Sequence, residues 1–420
     1  MDNSCGCEPA TGKAGLNRRH IAAVAAGVLG SVIGPSVGLA ASRSDLRHVP
    51  QRETERTPVS PEAASAAEIA GMSGVRLWAD NPDTFLPLVQ NLWAQRDVSW
   101  LSLSGGGDDG AYGAGVLAGW TASGGRPEFA VVTGVSTGAL IAPFAFLGPR
   151  YDEVLKRVYT TISAADVFEF GGSAESLLSS WPLSDTIARW ITPGLLLEVA
   201  AEHRRGRRLF ALTTNVDAQR PVLWNMGAIA AHGGPEAVTL FCKVLLASAS
   251  IPGLFQPVMI DVVGDNRHFQ EMHVDGSASA YLFVAPQPML LDNQAIERLP
   301  VDHLYLVVNN TLRPNFALTE RITSAVLGRA MSVGTKAFAA LELAVIFQIS
   351  RSQGIDFNLT FVADDFNRPS SGPFDPTYMA ALFEHGYTRA ASKEAFAKAF
   401  APAPEAVDRD FTGRKRLEFR

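Results

Sequence analysis

Residues 131–139 read VVTGVSTGA, a short apolar strand that runs directly into Gly-Val-Ser-Thr-Gly at residues 134–138. A serine nucleophile must stand clear of a sheet on a sharp turn between a strand and a helix. Such a turn brings backbone segments so close that glycine fits at the flanking positions, here Gly134 and Gly138. The following helix would direct its N-terminus toward charge that develops at Ser136. The pentapeptide alone is also typical of an ordinary turn of small residues, so other motifs must decide whether Ser136 is a nucleophile.

A glycine-rich loop precedes this turn by one βαβ unit. Residues 98–103 predict a strand, residues 104–110 read SGGGDDG, and residues 111–120 predict a helix of small residues. A second strand at residues 129–133 then leads to Ser136. Because βαβ crossovers are right-handed, the loop and the serine turn are predicted at the same edge of the sheet.

A third motif, HVDGS at residues 273–277, ends another predicted strand. An Asp-Gly pair is usually a tight turn and nothing more. Here it stands downstream of a triple-glycine loop and a Gly-x-Ser-x-Gly turn. Because these two motifs precede it, Asp275 is a candidate catalytic partner for Ser136.

Together these motifs resemble the patatin-like phospholipase family, lipid acyl hydrolases that use a Ser–Asp dyad. The matching segments follow the family's order: GGGDDG at 105–110, GVSTG at 134–138 and Asp-Gly at 275–276. Residues 246–252, LASASIP, also resemble the family's Ala-Ser-x-Ala-x-Pro segment. The resemblance covers residues 97–290.

The resemblance implies an α/β fold, a three-layer α/β/α sandwich with a mostly parallel central sheet. It implies that a phospholipid or another acyl ester is cleaved through an acyl-enzyme, with Ser136 as nucleophile and Asp275 as base. Backbone N–H groups of Gly106 and Gly107 would hold the oxyanion. The implied site residues are Ser136 and Asp275 (catalytic), Gly105, Gly106, Gly107 and Gly110 (oxyanion loop), Gly134 and Gly138 (nucleophile turn), and Gly276 and Ser277 (Asp-Gly motif).

Three positions depart from the family's pattern. Ser104 replaces the first aspartate of the loop, Asp109 replaces its basic residue, and Ser277 stands where the family has Gly or Ala. The glycines, whose amides would stabilise the oxyanion, are all retained. Because the basic residue is replaced, the resemblance does not imply the contact that such a residue would make with an acyl or phosphate group.

Three other interpretations remain open from the sequence. Residues 105–110 also fit a dinucleotide-binding fingerprint, but the next strand ends at Thr133 and Gly134, without the acidic residue that this site requires. A Ser-His-Asp hydrolase would need a histidine after the acid, and His303 and His385 are the candidates. His273 is expected to be a hydrogen-bonded neighbour of Asp275 on the same side of the strand. A non-catalytic, lipid-binding relative is the third interpretation.

Bulk composition narrows the functional classes. The 420 residues are 47% hydrophobic and 19% charged, with a formal net charge of −6, so no nucleic-acid partner is predicted. Eight histidines and three cysteines, Cys5, Cys7 and Cys242, show no metal-ligand spacing outside the leader, and no metal or cofactor is predicted.

The chain divides into five predicted segments. Residues 1–41 resemble an export signal, with Arg18 and Arg19 before an apolar stretch, as in a twin-arginine leader. A linker at 42–74, a helical lead-in at 75–96, the catalytic domain at 97–290 and a C-terminal part at 291–420 that completes the same domain follow. The predicted location is periplasmic or extracellular, with a transient membrane contact as one option.

The rest of the chain alternates between helical and extended patterns, as α/β layers require. The predicted helices are 151–170, 177–201, 237–250, 322–353 and 376–400, and the predicted strands are 207–215, 221–225, 258–263, 269–275, 304–309 and 357–362. The helix at 322–353 is apolar and is expected to lie in the core rather than to cover the acyl site.

Overall fold

The structure, a computed structural model, describes residues 56–400 except 172, 174, 292–297, 315, 317 and 322. The predicted export signal at 1–41 lies outside the described residues, as does the first part of the predicted linker.

Eleven strands are present in these residues. They are β1 (Arg76–Trp78), β2 (Ser99–Leu103), β3 (Val131–Val135), β4 (Glu169–Phe170), β5 (Leu178–Ser179), β6 (Arg208–Asn215), β7 (Arg220–Asn225), β8 (Val258–Gly264), β9 (Arg267–Asp275), β10 (His303–Val308) and β11 (Asp356–Phe361).

Twelve α-helices accompany them in the same part of the chain. They are α1 (Pro61–Ser65), α2 (Pro82–Val89), α3 (Gly110–Ala122), α4 (Thr137–Leu147), α5 (Asp152–Thr161), α6 (Trp181–Trp190), α7 (Pro193–Arg204), α8 (Met226–His232), α9 (Gly234–Ser248), α10 (Gln287–Leu291), α11 (Thr323–Gln353) and α12 (Pro376–Ala391).

A nine-stranded sheet forms the centre of the molecule, with the order β1-β7-β6-β3-β2-β10-β11 and a β8-β9 pair attached to β6. The strands from β6 to β11 along this order are mutually parallel, whereas β7, β1 and β9 join antiparallel. Two hydrophobic clusters cover its two faces. Successive side chains of β2 point into different clusters, since Leu101 and Leu103 belong to one and Trp100 belongs to the other. The predicted α/β sandwich with a mostly parallel central sheet is confirmed.

The glycines of α3 are explained by its packing against α12. A Cβ atom at Gly115 would lie 2.8 Å from the carbonyl carbon of Phe383, and one at Gly119 would lie 2.8 Å from that of Tyr387. Glycine is poor in helices, but here it lets two helices approach along their backbones. The contact fixes α3, and with it the glycine-rich loop that begins this helix.

Several predicted elements differ from the structure. The helical lead-in at 75–96 is wrong for Arg76–Trp78, which is strand β1 and pairs with β7. All three β1 residues are buried, so they lack the alternation that identifies a strand in the sequence. The described part of the predicted linker contains α1 and packs on the body through buried Ala67 and Met72.

Two helical predictions are too long, because their ends form a small hairpin. Residues 169–170 and 178–179 are β4 and β5, which pair with each other instead of extending α5 and α6. The closing helix also ends at Ala391 rather than at residue 400. The other predicted strands agree with β6 to β11 within one or two residues.

Candidate active site

Ser136 lies on the turn between β3 and α4 in a strained backbone conformation, with φ +54° and ψ −125°. Such a conformation costs a non-glycine residue about 1–3 kcal/mol, which the surrounding structure must supply. The flanking glycines permit the turn. A Cβ atom at Gly134 would lie 2.6 Å from the Cα of Ala139, and one at Gly138 would lie 2.6 Å from the Ser104 carbonyl oxygen. The turn therefore depends on glycine at both positions.

Strand β6 brings Asp275 to this turn. Val135, the last residue of β3, pairs with Leu212, and Asp275, the last residue of β9, pairs with the next β6 residue, Thr213. Strand β9 thus continues along β6 where β3 stops. The Asp275 N–H also donates to the Ser250 carbonyl oxygen at 2.8 Å. Residues far apart in the chain therefore meet at one edge of the sheet.

The two side chains are joined by a direct hydrogen bond. Ser136 Oγ donates to Asp275 Oδ2 at 2.6 Å, while Asp275 Oδ1 accepts from the Ser277 N–H at 2.8 Å. Both are buried, with exposed fractions of 5% for Ser136 and 2% for Asp275. Burial raises the pKa of Asp275 to about 6, against the lowering effect of these hydrogen bonds. Above that pH the carboxylate can accept a proton.

The glycine-rich loop lies beside this pair, and two of its residues have positive φ angles, +157° at Gly106 and +62° at Gly107. No acceptor in the described part of the chain takes a hydrogen bond from the N–H of Gly106 or Gly107. The Gly105 N–H donates to the Tyr281 carbonyl oxygen at 3.3 Å, and the Gly110 N–H donates within the loop. Gly105 and Gly110, predicted as part of the oxyanion loop, therefore have no N–H free for an oxyanion.

These two glycines instead permit close packing. A Cβ atom at Gly105 would clash with the Ser277 hydroxyl, and one at Gly110 would clash with the Thr137 side chain. Close packing also explains the glycine at position 276, since a Cβ atom there would lie 3.0 Å from Val135 Cγ1. The loop, the serine turn and the Asp-Gly turn are therefore in direct contact.

Asn309, just after β10, holds the loop in place, and no motif in the sequence identifies it as a site residue. Its backbone N–H donates to Ser104 Oγ at 2.8 Å, and its Nδ2 donates to the Ser104 carbonyl oxygen at 2.9 Å. Its Oδ1 accepts from the Gly113 N–H at 3.0 Å. Ser104, where the family has aspartate, is thus fixed by the neighbouring strand.

Ser248 is a second site residue without an assigned role in the sequence analysis. Its Oγ accepts from the Ser136 N–H at 3.0 Å and donates to the Leu212 carbonyl oxygen at 2.7 Å. It belongs to the segment 246–252 that resembled the family, which was the available signal. Ser248 ties the backbone of the serine turn to β6.

The three histidines considered as catalytic candidates or neighbours, His273, His303 and His385, make contacts with other residues. His273 Nδ1 pairs with Thr213 Oγ1 at 2.9 Å and its Nε2 with Glu271 Oε2 at 3.1 Å, so it is the hydrogen-bonded neighbour that was expected. His303 lies at the start of β10 between Asp97 and Asp356, 2.9 Å from each. His385 lies on α12, near Asp365. Within the described residues, no histidine makes a hydrogen bond with Ser136 or Asp275.

Two cavities open on Ser136. One begins at Gly107, Ser136 and Thr137 and has an otherwise mainly apolar wall. That wall includes Leu140, Phe144, Val158, Leu183, Ile187 and Phe255. The other is lined by Ser136 and Asp275 together with polar and charged side chains. The site therefore has an apolar and a polar side.

Helix α11 forms a wall of the polar cavity and not of the apolar one. Its Glu342 accepts hydrogen bonds from the N–H groups of Tyr281 and Leu282 at 3.0 Å, and burial raises its pKa to about 7. Tyr281 in turn accepts from the Gly105 N–H. Glu342 is therefore linked to the glycine-rich loop through one residue.

The helix is only partly in the core. Leu343 and Ile346 are buried, but Phe338 and Leu341 are 63% and 65% exposed. By length and composition alone, residues Gly328–Gln353 could cross a membrane, with a mean hydropathy of 1.5. The expectation that this helix is a core element is thus correct for one of its faces only.

Within the described ranges, no group of three or more His, Cys, Asp or Glu side chains is placed to hold a metal ion. Cys242 is half-buried, and burial raises its pKa to about 11, so the thiol stays protonated at neutral pH.

A serine hydrogen-bonded to a buried carboxylate, beside two unpartnered backbone N–H groups, is an arrangement typical of the hydrolases of the esterase and lipase class. The comparisons agree: residues 101–286 match the family model of the patatin-like phospholipases. These residues are therefore similar to a patatin-like phospholipase domain, and that family acts on lipid esters. Among solved structures, the crystal structure of VipD from Legionella pneumophila is similar, with 10% identity, a TM-score of 0.36, and coverage of 71% of this chain and 67% of that one. The comparison with curated proteins gives no match.

Proposed function

We propose that this chain is a lipid acyl hydrolase in which Ser136 is the nucleophile and Asp275 acts directly as its base. The observation that carries the proposal is the 2.6 Å hydrogen bond from Ser136 Oγ to Asp275 Oδ2. A nucleophile and a base within this distance are the signature of covalent acyl transfer. The strained turn and the start of α4 support the assignment, because a helix N-terminus stabilises developing negative charge.

The proposed reaction has two halves. Asp275 takes the Ser136 proton as Oγ attacks the ester carbonyl, and the Gly106 and Gly107 N–H groups donate to the resulting oxyanion. The proton then passes from Asp275 to the leaving alcohol, and an acyl-Ser136 ester remains. Water, deprotonated by Asp275, hydrolyses that ester and restores the free serine. Two unpartnered N–H groups beside Ser136 supply the electrostatic part of the catalysis.

The apolar cavity supports a proposed position for the acyl chain of the substrate. It begins at Ser136 and continues between α4, α5, α6 and α9. An acyl chain bound there would leave water, and each buried methylene contributes about 0.8 kcal/mol. The alcohol side of the ester would then face the polar cavity.

A fluorophosphonate probe tests the proposal directly, because it labels only an activated serine. The wild-type chain should be labelled, and Ser136→Ala should not. Labelling should persist in His303→Ala and His385→Ala, which remove the histidines of the alternative triad. Loss of labelling in either histidine variant would support a Ser-His-Asp site. A folded wild-type chain that is not labelled would support the non-catalytic, lipid-binding relative.

The membrane contact and the exported location are further proposals. Helix α11 exposes Phe338 and Leu341, and other residues of the same helix line the polar cavity, so we place the lipid surface against this helix. Replacement of both residues by Ser should reduce sedimentation with phospholipid vesicles, whereas Leu197→Ser, at an exposed position on α7, should not. Fractionation of cells that express the full chain, with and without Arg18→Lys and Arg19→Lys, tests export.

A further inference from the structure

The polar cavity beside Ser136 contains two cations that the acyl-transfer steps do not use. Lys336 of α11 and Arg368 line it together with Ser136, Asp275 and Gly107. Lys336 and Arg368 lie outside the matched family segment, residues 101–286. The following inference rests on the proposed function and assigns the alcohol side of the substrate.

Lys336 is held in place and keeps one donor available. Its Nζ donates to Thr311 Oγ1 at 2.9 Å and to the Arg313 carbonyl oxygen at 3.0 Å. An ammonium group has three donors, and no other acceptor among the described residues takes the third. Burial lowers the pKa of Lys336, and the charge of Asp109 opposes this effect. A partly desolvated cation with a free donor is a strong site for an anion.

Arg368 lies at the exposed side of the same cavity. It forms no ion pair with any residue that the structure describes. Its guanidinium has five donors in a planar fork, a geometry that matches two oxygens of a phosphate group. Tyr281 adds a buried hydroxyl that lies near Ser104 and Asn310 but has no hydrogen-bond partner of good geometry among the described residues. The cavity thus offers several unused donors.

Two carboxyl groups share this cavity, Asp275 and Asp109. Asp275 is bonded to Ser136, so it belongs to the reaction. Asp109 Oδ1 accepts from the Tyr378 hydroxyl at 2.6 Å, and burial raises the pKa of Asp109 to about 6. Asp109 stands where the family has a basic residue, and its charge acts on Lys336 across the same cavity. The positive charge absent from the loop is therefore supplied by α11.

We propose that Lys336 and Arg368 bind the phosphate group of a glycerophospholipid whose ester carbonyl lies at Ser136. The acyl chain then occupies the apolar cavity, and the phosphate lies between α11 and the segment that carries Arg368. Asp109 is the group with which the phosphate competes for Lys336. The substrate class is accordingly a phosphate-bearing lipid, in preference to a neutral glyceride with the same acyl chains.

The test compares dioctanoyl phosphatidylglycerol with dioctanoylglycerol in mixed micelles and follows the ratio of their kcat/KM values. Loss of one charge-assisted contact in Lys336→Met should lower this ratio about 10- to 100-fold, mainly through KM for the phospholipid. Lys336→Arg should retain most of the ratio. Lys243→Met removes an exposed lysine paired with Asp261, outside this cavity, and should leave the ratio unchanged. Asp109→Asn should raise the ratio, a direction that a structural defect would not produce.

The outcomes separate this inference from the proposed function. Hydrolysis of neither lipid by the wild-type chain overturns the proposed function and this inference with it. Hydrolysis of both with an unchanged ratio in Lys336→Met overturns the phosphate site alone. Inhibition by inorganic phosphate that requires Lys336, without any change in the lipid ratio, indicates a site for a free anion and also overturns the lipid assignment.

Discussion

Val135 and Asp275 lie beside successive residues of one strand, since Val135 pairs with Leu212 of β6 and Asp275 with Thr213. The residue after Val135 is Ser136, so the register of β6 sets the distance between the serine and the carboxylate. A shift of one residue in the pairing of β9 with β6 would turn Asp275 to the other face of the sheet, and a shift in the pairing of β3 would displace Ser136. The geometry of the proposed dyad is therefore a property of the sheet.

Conservative replacement of either dyad residue should abolish most activity without unfolding the chain. Ser136→Ala removes the nucleophile, and Asp275→Asn keeps the Oδ1 that accepts from Ser277 but loses the base. Loss of a positioned general base typically costs about 10²- to 10⁴-fold in rate. Turnover of p-nitrophenyl butyrate measures the effect, and circular dichroism controls for folding. An Asp275→Asn variant with near wild-type turnover would require another base.

The activity should fall in acid because Asp275 must be ionised to accept a proton. Burial raises its pKa to about 6, so the active fraction decreases as the pH falls through that value. Well below it, kcat/KM should drop about tenfold per pH unit. A pH profile with p-nitrophenyl butyrate, an ester without ionisable groups, measures this inflection. A flat profile down to pH 4.5 would contradict the assigned base.

Removal of the Glu342 carboxylate should lower kcat, although Glu342 makes no contact with Ser136. Glu342→Gln leaves one acceptor for the N–H groups of Tyr281 and Leu282 and faces them with an amide donor. Tyr281 holds Gly105, so the loop should lose its fixed position. We expect kcat to fall about tenfold, as for the loss of one hydrogen bond to a charged group.

The pH dependence distinguishes this role from general destabilisation. Burial raises the pKa of Glu342 to about 7, so its carboxylate forms as the pH rises through 7 and activity should rise with it. Glu342→Gln should remove this inflection and leave the one near 6. Glu384→Gln, at an exposed position on α12, is the matched control and should keep both.

Ser248→Ala should cost both stability and rate. It leaves the buried Ser136 N–H and Leu212 carbonyl oxygen without this partner, which costs about 1–3 kcal/mol of unfolding free energy. Loss of the backbone anchor should also lower kcat. Ser250→Ala is a suitable comparison, because that buried hydroxyl donates only to Leu246 of its own helical segment. Equal effects on kcat in the two variants would argue against a positioning role for Ser248.

A large side chain in the apolar cavity should shorten the acyl chain that the enzyme accepts. Ile187 of α6 lines this cavity, and Ile187→Trp would fill part of it. We expect kcat/KM for p-nitrophenyl decanoate to fall at least about tenfold, the value of roughly two methylenes that lose their burial, relative to the butyrate. Leu197→Trp, 68% exposed on α7, should leave the preference unchanged.

Features that depend only on residues close together in the chain could be predicted from the sequence. The serine turn, the glycine-rich loop and the paired strands β8 and β9 each follow from local spacing. The roles of Ser248, Asn309 and Glu342 depend on hydrogen bonds to residues 36 to 205 positions away, which no local pattern reports. Strand β1 was not predicted for a related reason, because its three residues are all buried and show no alternation of polar and apolar positions.

The packing of α3 against α12 also bears on how much of the chain an active enzyme would need. Gly115 and Gly119 lie against the backbone of Phe383 and Tyr387, while the family match ends at residue 286. A fragment cut at that residue would lose α12, β10 and β11, so it would expose the glycine face of α3 and leave β2 as a bare edge. It would also lack Asn309, which holds the loop. We therefore expect the smallest catalytic unit to extend through Ala391, well beyond the segment that matches the family.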